Sequence, residues 1–349
     1  MLIREKNPHG GQIYGQNIKA DFSVNINPQG TPEQVIKAAA ESIYASEKYP
    51  DAECKMLRKL IAEKENISEE NIICGNGGAE LIFQMSAALR PAKALITEPT
   101  FCEYRQSIKA WGGEVKSVVL DEDFDIDKNV GIIEANISED IDIVFLCNPN
   151  NPTGKTADIG TVKILAERCA KMGAMLFIDE SFGEMSENYE SFSAVDMVSE
   201  TKNVFVLKSM TKTYAMPGIR LGYGLCSDTK IIDKMCSMSQ CWNVSIAAQK
   251  AGEAAIKDCG DYVEKTLKII KEEKEYLKRE LRGAGITVLD SEANFMLIKT
   301  QEDFKEKMLK KGILVRSCDN FEGLGKEYFR IAVKSHEENM LLTEAVRAL

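Results

Sequence analysis

Lys212 has the surroundings most suggestive of chemistry in this chain of 349 residues. It follows the apolar run Val204–Leu207, with the hydroxyl residues Ser209 and Thr211 before it and Arg220 eight residues after it. An amine in this position can form an imine with an aldehyde, while the hydroxyls and the guanidinium can bind a phosphate. An exposed loop lysine would also fit this window, so other motifs must decide between the two interpretations.

A glycine-rich turn, Gly75-Asn-Gly-Gly-Ala-Glu80, follows another apolar run and opens a predicted helix. The backbone N–H groups of Gly77, Gly78 and Ala79 are expected to be free at the start of that helix, where the helix dipole also favours negative charge. The turn therefore predicts an anion-binding site. Glycine-rich turns are common, however, and this motif alone is weak.

Two more polar groups follow apolar runs. Asn151 lies in Asn148-Pro-Asn-Asn-Pro-Thr-Gly154, where two prolines hold the turn and direct an amide at the strand ends. Asp179 ends the run Met175–Ile178, where its carboxylate either keeps a ring nitrogen protonated or caps the next element. With Lys212 and two phosphate-binding segments, these groups match the requirements of pyridoxal 5′-phosphate (PLP).

The elements that must position these groups follow a regular order. From about residue 70, short apolar runs alternate with helix-like stretches at 78–89, 101–111 and 157–172. This alternation is typical of a mostly parallel sheet covered by helices on both faces, whose site lies at the carboxyl ends of the strands. After about residue 227, the charged helical stretch 260–282 and four strand-like runs predict a smaller α+β domain.

The order of the motifs resembles that of fold-type I PLP enzymes of the aminotransferase I/II superfamily, across essentially the whole chain. The resemblance implies an α/β fold, with a mostly parallel mixed sheet in a large PLP-binding domain and a small α+β domain. The expected boundaries are 31–240 for the large domain and 241–349 for the small C-terminal domain. Residues 1–30 are expected to form an N-terminal arm that contributes to the active site and to the small domain.

The same resemblance implies roles for individual residues. Lys212 would form the imine with PLP, Asp179 would face the pyridine nitrogen, and Asn151 would face the ring hydroxyl. Tyr104, in the Pro-Thr-Phe-Cys-Glu-Tyr motif, would stack on the ring. Tyr49 would reach the phosphate bound by the partner subunit, which implies a homodimer with shared active sites. The implied phosphate contacts are Gly78, Ala79, Ser209, Thr211 and Arg220.

The two ends of the chain suggest the substrate. The opening His9-Gly-Gly, the segment from Asp21 to Gly30, and the Arg316-Ser-Cys and Arg330 windows are similar to those of threonine-phosphate decarboxylases of cobalamin side-chain synthesis. The resemblance implies that Arg330 binds the substrate carboxylate, while Arg316, His9 and Asn25 line the substrate end. Two guanidiniums suit a substrate that carries both a carboxylate and a phosphate. The division of roles between the two arginines stays open.

The expected reaction is decarboxylation of L-threonine O-3-phosphate to (R)-1-amino-2-propanol phosphate. Histidinol-phosphate aminotransferases, which use 2-oxoglutarate, share the cofactor residues and are the alternative, because motifs do not show which bond at Cα lies perpendicular to the ring. A non-catalytic PLP-binding regulator is disfavoured, since no DNA-binding segment is appended. Phe182 stands where many relatives carry Tyr, so the ring oxygen of PLP is expected to lose one donor.

Composition limits the partners and the location. The formal net charge is −10, from 44 basic and 54 acidic residues, which argues against nucleic acid as a partner. No apolar run approaches the ~18 residues of a membrane span. The ten cysteines are scattered, no Cys-x-x-Cys pair occurs and only two histidines are present, so we expect no bound metal and a reducing cytoplasm. Cys318, beside Arg316, is the cysteine whose proximity to the substrate needs checking.

The charge balance also bears on the cofactor. An acidic protein that binds a phosphorylated cofactor and a phosphorylated substrate must concentrate basic groups locally. The sequence therefore predicts a positive cleft in a negative protein.

Overall fold

A computed structural model describes residues 9–349. This part of the chain contains thirteen α-helices, and its thirteen strands form three sheets. The strands are β1 Ala20–Asp21, β2 Ile72–Gly75, β3 Lys93–Glu98, β4 Glu114–Val119, β5 Ile143–Cys147, β6 Met175–Asp179, β7 Val204–Lys208, β8 Gly222–Leu225, β9 Thr287–Val288, β10 Phe295–Lys299, β11 Ile313–Leu314, β12 Arg316–Ser317 and β13 Tyr328–Ala332. The helices are α1 Glu33–Ser42, α2 Lys55–Glu65, α3 Gly78–Leu89, α4 Glu103–Ala110, α5 Ile126–Asn136, α6 Ile159–Met172, α7 Met197–Glu200, α8 Met210–Thr213, α9 Thr229–Met238, α10 Ile246–Asp258, α11 Tyr262–Gly283, α12 Phe304–Lys310 and α13 His336–Arg347. No helix among these residues is both long and apolar enough to span a membrane.

The largest sheet has seven strands in the order β2-β8-β7-β6-β5-β3-β4. Strand β8 runs antiparallel to both of its neighbours, and the other neighbouring strands run parallel. This arrangement confirms the predicted α/β fold with a mostly parallel mixed sheet. The register pairs Cys147 with Asp179 and Asp179 with Leu207, so β5, β6 and β7 end side by side at one edge.

Apolar side chains on both faces explain why the central strands are continuous apolar runs. Phe145, Phe177 and Phe205 belong to one hydrophobic core, in which successive ring centroids are 5.1 and 4.9 Å apart. Their neighbours Val144 and Leu176 belong to the core on the opposite face. Successive residues of a strand point to opposite faces, and helices cover both faces here. The central strands therefore place their terminal residues at a buried sheet edge.

The smaller sheet is antiparallel, in the order β12-β13-β10-β9, and a separate parallel pair joins β1 to β11. Ala20 and Phe22 pack in the core formed by the C-terminal elements, and the Ala332 N–H donates to the Phe22 oxygen at 3.0 Å. The N-terminal segment thus packs with the C-terminal part of the chain. Helix α10 lies just beyond the predicted boundary at residue 240, yet it packs on α1 and α2, so that boundary stays a prediction.

Candidate active site

A cavity of about 360 Å³ lies at the carboxyl ends of β5, β6 and β7, and segments from both larger sheets line it. Twelve residues singled out from the sequence line this cavity: His9, Asn25, Gly78, Ala79, Asn151, Asp179, Ser209, Thr211, Lys212, Arg220, Arg316 and Arg330. Gly77, Tyr49 and Tyr104 are not among the lining residues. The structure therefore brings together residues that are more than 300 positions apart in the sequence.

Lys212 lies on α8, the single helical turn that follows β7. Its Nζ is 5.7 Å from the centre of the Phe182 ring and has no hydrogen bond or ion pair within residues 9–349. Burial, and after it the nearby charges of Arg330 and Arg220, lower the pKa of Lys212 to about 8, although the charge of Asp179 opposes them. A substantial fraction of this amine is therefore neutral near pH 8, as attack on an aldehyde requires.

Asp179 ends β6 and is buried at the cavity. Its Oδ2 accepts a hydrogen bond from the Tyr104 hydroxyl at 2.7 Å, and its Oδ1 accepts one from the Ser181 N–H at 2.9 Å. Burial raises the pKa of the Asp179 carboxyl, and these hydrogen bonds oppose the increase. No cation forms an ion pair with this carboxylate in the described part of the chain, so it is available to a protonated ring nitrogen.

Two aromatic residues of one motif occupy different positions. Tyr104 is fully buried, stacks on Phe145 at 5.0 Å between ring centres and does not line the cavity. Phe101 lines the cavity instead and meets the Tyr104 ring edge-on at 5.7 Å. We expected Tyr104 to stack on the cofactor ring, but in the structure Phe101 is the residue of this motif whose ring lies on the cavity wall, which Phe182 and Phe321 also line. The start of α4 at Glu103 turns Tyr104 inward, under Phe101.

The glycine-rich turn leads directly into α3. Gly77 has φ of +84°, and its N–H donates to the Gly75 oxygen at 2.8 Å. We expected this N–H to be free for an anion, and in the structure it is not. Gly78 and Ala79 line the cavity in the first turn of α3, where N–H groups have no acceptor within the helix. A Cβ on Gly77 would lie 2.5 Å from Nη2 of Arg220, so only glycine allows this guanidinium so close to the helix start.

Arg316 and Arg330 are direct cross-strand partners in the register of β12 and β13. Arg330 is buried and donates to Asn151 Oδ1 at 2.5 Å and to the Ser23 oxygen at 2.7 Å, while its Nε has no partner. Burial lowers the pKa of Arg330 to about 10, and the charge of Arg316 adds to the shift. Neither guanidinium forms an ion pair within residues 9–349. Like charges on paired strands destabilise a sheet, and an anionic ligand would relieve that cost.

His9 and Asn25 line the cavity together with Arg316. His9 Nε2 is 2.5 Å from Glu103 Oε1, and its ring centre is 5.7 Å from that of Phe101. The side-chain atoms of His9, Glu103 and Cys102 that could coordinate a metal ion lie within 4.8 Å of one another. Asn25 is buried, and its Oδ1 has no hydrogen-bond partner. Within the described residues the Asn25 oxygen therefore has unused hydrogen-bonding capacity, which a polar substrate can use.

Tyr49 and Cys318 lie away from the cavity. Tyr49 is 75% exposed and stacks on Trp242 with 4.1 Å between ring centres, so its predicted contact with a partner subunit stays a prediction. Cys318 is fully buried and does not line the cavity, whereas Cys102 and Cys147 do. Sequence reasoning missed Phe101, Glu103 and these two cysteines, since nothing in their local pattern distinguishes them from core residues.

Comparison with known proteins decides the family. The model of the family described as aminotransferase class I and II matches residues 17–349. The chain belongs to this family. The predicted resemblance is thereby confirmed, as is the prediction of a PLP-dependent enzyme.

Three of its similar proteins cover almost the whole chain. A protein of Caldanaerobacter subterraneus subsp. tengcongensis, provisionally named a threonine-phosphate decarboxylase, is 40% identical over 98% of this chain and 93% of its own length. The threonine-phosphate decarboxylase of Salmonella typhimurium is 33% identical over 94% of this chain and 90% of its own length. The solved structure of the histidinol-phosphate aminotransferase from Clostridium acetobutylicum has a TM-score of 0.87 and 32% identity, over 94% of this chain and 98% of that one.

PLP, the cofactor of this aminotransferase family, fits the groups that the cavity presents. The unpaired amine of Lys212 suits an aldehyde, and the buried carboxylate of Asp179 suits a protonated ring nitrogen. Asn151 uses its Oδ1 to accept from Arg330, which leaves its Nδ2 to donate to a ring oxygen. The start of α3 and Arg220, with the hydroxyls beside Lys212, can hold a phosphate. These individual roles remain predictions, whereas PLP as the cofactor is confirmed by family membership.

Proposed function

We propose that this protein decarboxylates L-threonine O-3-phosphate to (R)-1-amino-2-propanol phosphate, with PLP as cofactor. The observation that carries the proposal is the pair Arg316 and Arg330, two guanidiniums that line the cavity and have no carboxylate partner within residues 9–349. A substrate with a carboxylate and a phosphate supplies two anions for two such groups. The 40% and 33% identities to proteins named as threonine-phosphate decarboxylases support the same substrate.

The chain's own residues would bind and orient this substrate. Arg330, held by Asn151 and the Ser23 oxygen, would bind the carboxylate, while Arg316, His9 and Asn25 would contact the phosphate end. When bound, PLP supplies an electron sink for the bond that breaks at Cα. The two guanidiniums would fix which bond lies perpendicular to the cofactor ring, because small errors in orientation cost large factors in rate.

Lys212 would act twice in the proposed reaction. As a neutral amine it would hold PLP through the cofactor's aldehyde, and when the substrate amine holds PLP instead, Nζ would be available to exchange a proton with the substrate. A pKa of about 8 allows this group to accept or to donate a proton near neutral pH. Decarboxylation needs a proton delivered to Cα, whereas transamination needs one removed from Cα. The same lysine can therefore serve both reactions.

Histidinol-phosphate transamination is the second candidate, and the 32% identity and TM-score of 0.87 to the Clostridium acetobutylicum enzyme favour it. One experiment separates the candidates. Purified protein loaded with PLP is incubated with L-threonine O-3-phosphate, and CO₂ is measured. A second sample receives histidinol phosphate and 2-oxoglutarate, and glutamate is measured. We expect CO₂ release and no sustained glutamate formation; sustained glutamate without CO₂ would reject the proposal in favour of the aminotransferase.

We also propose that the protein is a homodimer with shared active sites. Tyr44 and Tyr49 are 93% and 75% exposed, and Ile43 and Trp242 are also exposed large apolar groups, as expected of an interface. Sedimentation should give twice the mass of 38.8 kDa, and Tyr49→Ala should weaken PLP binding by about tenfold if Tyr49 reaches the partner's phosphate. A monomer with unchanged PLP affinity would contradict this proposal.

The reducing cytoplasm is the location we propose. All ten cysteines are unpaired, seven of them buried, and structural disulfides are rare in that compartment.

A further inference from the structure

A second group of buried charges lies close to the cavity without lining it. This buried charge cluster consists of the largely buried side chains of Glu65, Glu180, Glu184 and Lys208, with the more exposed Lys64 at its edge. Lys208 Nζ is 3.5 Å from Glu184 and 3.7 Å from Glu65, and Lys64 forms ion pairs with both of these glutamates. Every member except Glu180 is ion-paired, and Glu180 is hydrogen-bonded to Tyr189, whose hydroxyl also accepts from Lys208.

The cluster is joined to the chain neighbours of the residues that line the cavity. Glu180 directly follows Asp179, and Lys208 directly precedes Ser209. Thr213, next to Lys212, donates its hydroxyl hydrogen to Glu184 Oε2 at 2.9 Å. The cluster therefore contacts the backbone segments that carry three of the residues proposed to hold PLP.

Helix α8 is held by contacts with other segments, among them the Thr213–Glu184 hydrogen bond and the bond that Asn27 Nδ2 donates to the Thr213 oxygen at 2.8 Å. It is four residues long, and its N-cap Ser209 makes no side-chain capping hydrogen bond. A single helical turn has little stability of its own. Within the described residues Lys212 makes no hydrogen bond through Nζ, so the direction of this amine depends on how the turn beneath it is held.

We propose that Thr213 and Glu184 are positioning residues for Lys212, because their hydrogen bond fixes the helical turn from which the amine extends. The proposal rests on the proposed role of Lys212 in holding PLP. Burial alone would raise the pKa of Glu184, but the ion pairs with Lys208 and Lys64 outweigh burial and lower it. Glu184 is therefore a carboxylate throughout the working pH range, and it accepts the Thr213 hydrogen bond continuously.

The test uses the full-length protein loaded with PLP and the variants Thr213→Val, Thr213→Ala and Thr213→Ser. The matched control is Ser193→Ala, which removes a hydroxyl that donates to Glu180 of the same cluster at 3.1 Å but is remote in sequence from Lys212. The readouts are the pH titration of the bound cofactor's absorbance without substrate, the thermal unfolding midpoint, and kcat and KM for the substrate that the enzyme turns over.

We expect Thr213→Val and Thr213→Ala to shift the titration midpoint by about half a pH unit or more and to lower kcat about tenfold, with KM changed less than about twofold. Thr213→Ser should restore both quantities. Ser193→Ala should lower the unfolding midpoint without moving the titration or kcat.

Two results would overturn the proposal. An unchanged titration and kcat in both Thr213→Val and Thr213→Ala, with only a lower unfolding midpoint, would mean that the bond is purely structural. A shift of equal size in Ser193→Ala would mean that general loosening is the cause. The proposed function fails separately: if Lys212→Ala keeps the cofactor absorbance, Lys212 does not hold PLP at all.

Discussion

The cavity and the buried charge cluster lie against the same segment of chain, but their basic side chains differ in whether they are paired with carboxylates. In the cavity, Lys212, Arg316 and Arg330 have no carboxylate partner within residues 9–349, and burial lowers the pKa of each. In the cluster, the lysines Lys64 and Lys208 are paired with glutamates, and the ion pairs raise their pKa despite burial.

This difference in charge pairing distinguishes a ligand-binding site from a group of residues that stabilises the backbone around it. Burying an unpaired charge costs free energy, and a protein retains such charges where a ligand neutralises them. A compensated group of charges instead holds the backbone in one arrangement, because removing one member leaves the others unpaired. The prediction of a positive cleft in a negative protein therefore describes the cavity alone. The charges of the buried charge cluster, a few residues away, stabilise the fold instead.

The largest expected effect comes from the unpaired amine. Lys212→Ala should abolish the visible absorbance of bound PLP and lower kcat at least about 1,000-fold, because it removes the only group proposed to bond to the cofactor aldehyde. Absorbance spectra and single-turnover rates of the purified variant check this. Lys208→Ala is not a suitable control because it disrupts the cluster; Lys274→Ala, at a lysine away from the cavity, should leave the spectrum unchanged.

The next prediction compares the stability of the two regions directly. Glu184→Gln should lower the free energy of unfolding of the apoprotein by about 3 kcal/mol, because it leaves Lys64 and Lys208 to share the carboxylate of Glu65 as their only remaining ion-pair partner within residues 9–349. Arg330→Met should leave that free energy unchanged within about 1 kcal/mol or raise it, since it removes an uncompensated buried charge. Urea unfolding measures both. If the two variants are equally destabilised, the contrast between site and support is wrong.

The unpaired amine in the cavity should also make the free energy of unfolding depend on pH. Burial lowers the pKa of Lys212 from 10.5 to about 8, so between these pH values the folded apoprotein binds fewer protons at this residue than the unfolded chain does. The unfolding free energy of the apoprotein should therefore rise from pH 8 to 10.5 relative to that of Lys212→Met, in which residue 212 does not titrate. Urea unfolding of both proteins across this range gives the difference. Parallel pH profiles would show that the amine is not buried as described.

The smallest expected effect concerns the two aromatic residues. Tyr104→Phe keeps the ring but removes the hydrogen bond to Asp179, so PLP affinity should fall about fivefold, close to 1 kcal/mol. Phe101→Leu removes the ring on the cavity wall and should weaken PLP binding without changing the Asp179 hydrogen bond. Equilibrium titration of the apoproteins with PLP measures both. Unchanged affinity in Tyr104→Phe would show that the hydroxyl is dispensable.

The central sheet was predictable because burial on both faces leaves an unmistakable pattern. The runs at Ile143–Cys147 and Val204–Lys208 are strands almost to the residue, and the polar groups that follow them are on the cavity wall. The sequence does not indicate strand β4, Glu114–Val119, because it is an edge strand in which glutamate, lysine and serine are mixed with three valines. Its pattern therefore lacks the signal that buried strands carry.

Other features of the site depend on geometry that local patterns do not contain. Phe101 and Tyr104 belong to one motif, and only the position where α4 begins decides which ring reaches the cavity. The cluster joins Glu65 to Lys208, 143 residues apart, through strand order rather than spacing. The family resemblance supplied the roles of the cofactor residues, but it did not indicate the charges that support them.

The register of β12 and β13 has a consequence for substrate choice. Because Arg316 and Arg330 are paired across two hydrogen-bonded strands, the backbone of a sheet sets the separation of their anchoring points. Loops can adjust to ligands of different length, whereas paired strands keep a fixed spacing. If Arg316 and Arg330 bind the two anions of the substrate as proposed, the fold itself sets the distance between the anchoring points of those contacts. Homologous ligands that are one methylene longer or shorter should then be poorer substrates even though their charges are identical.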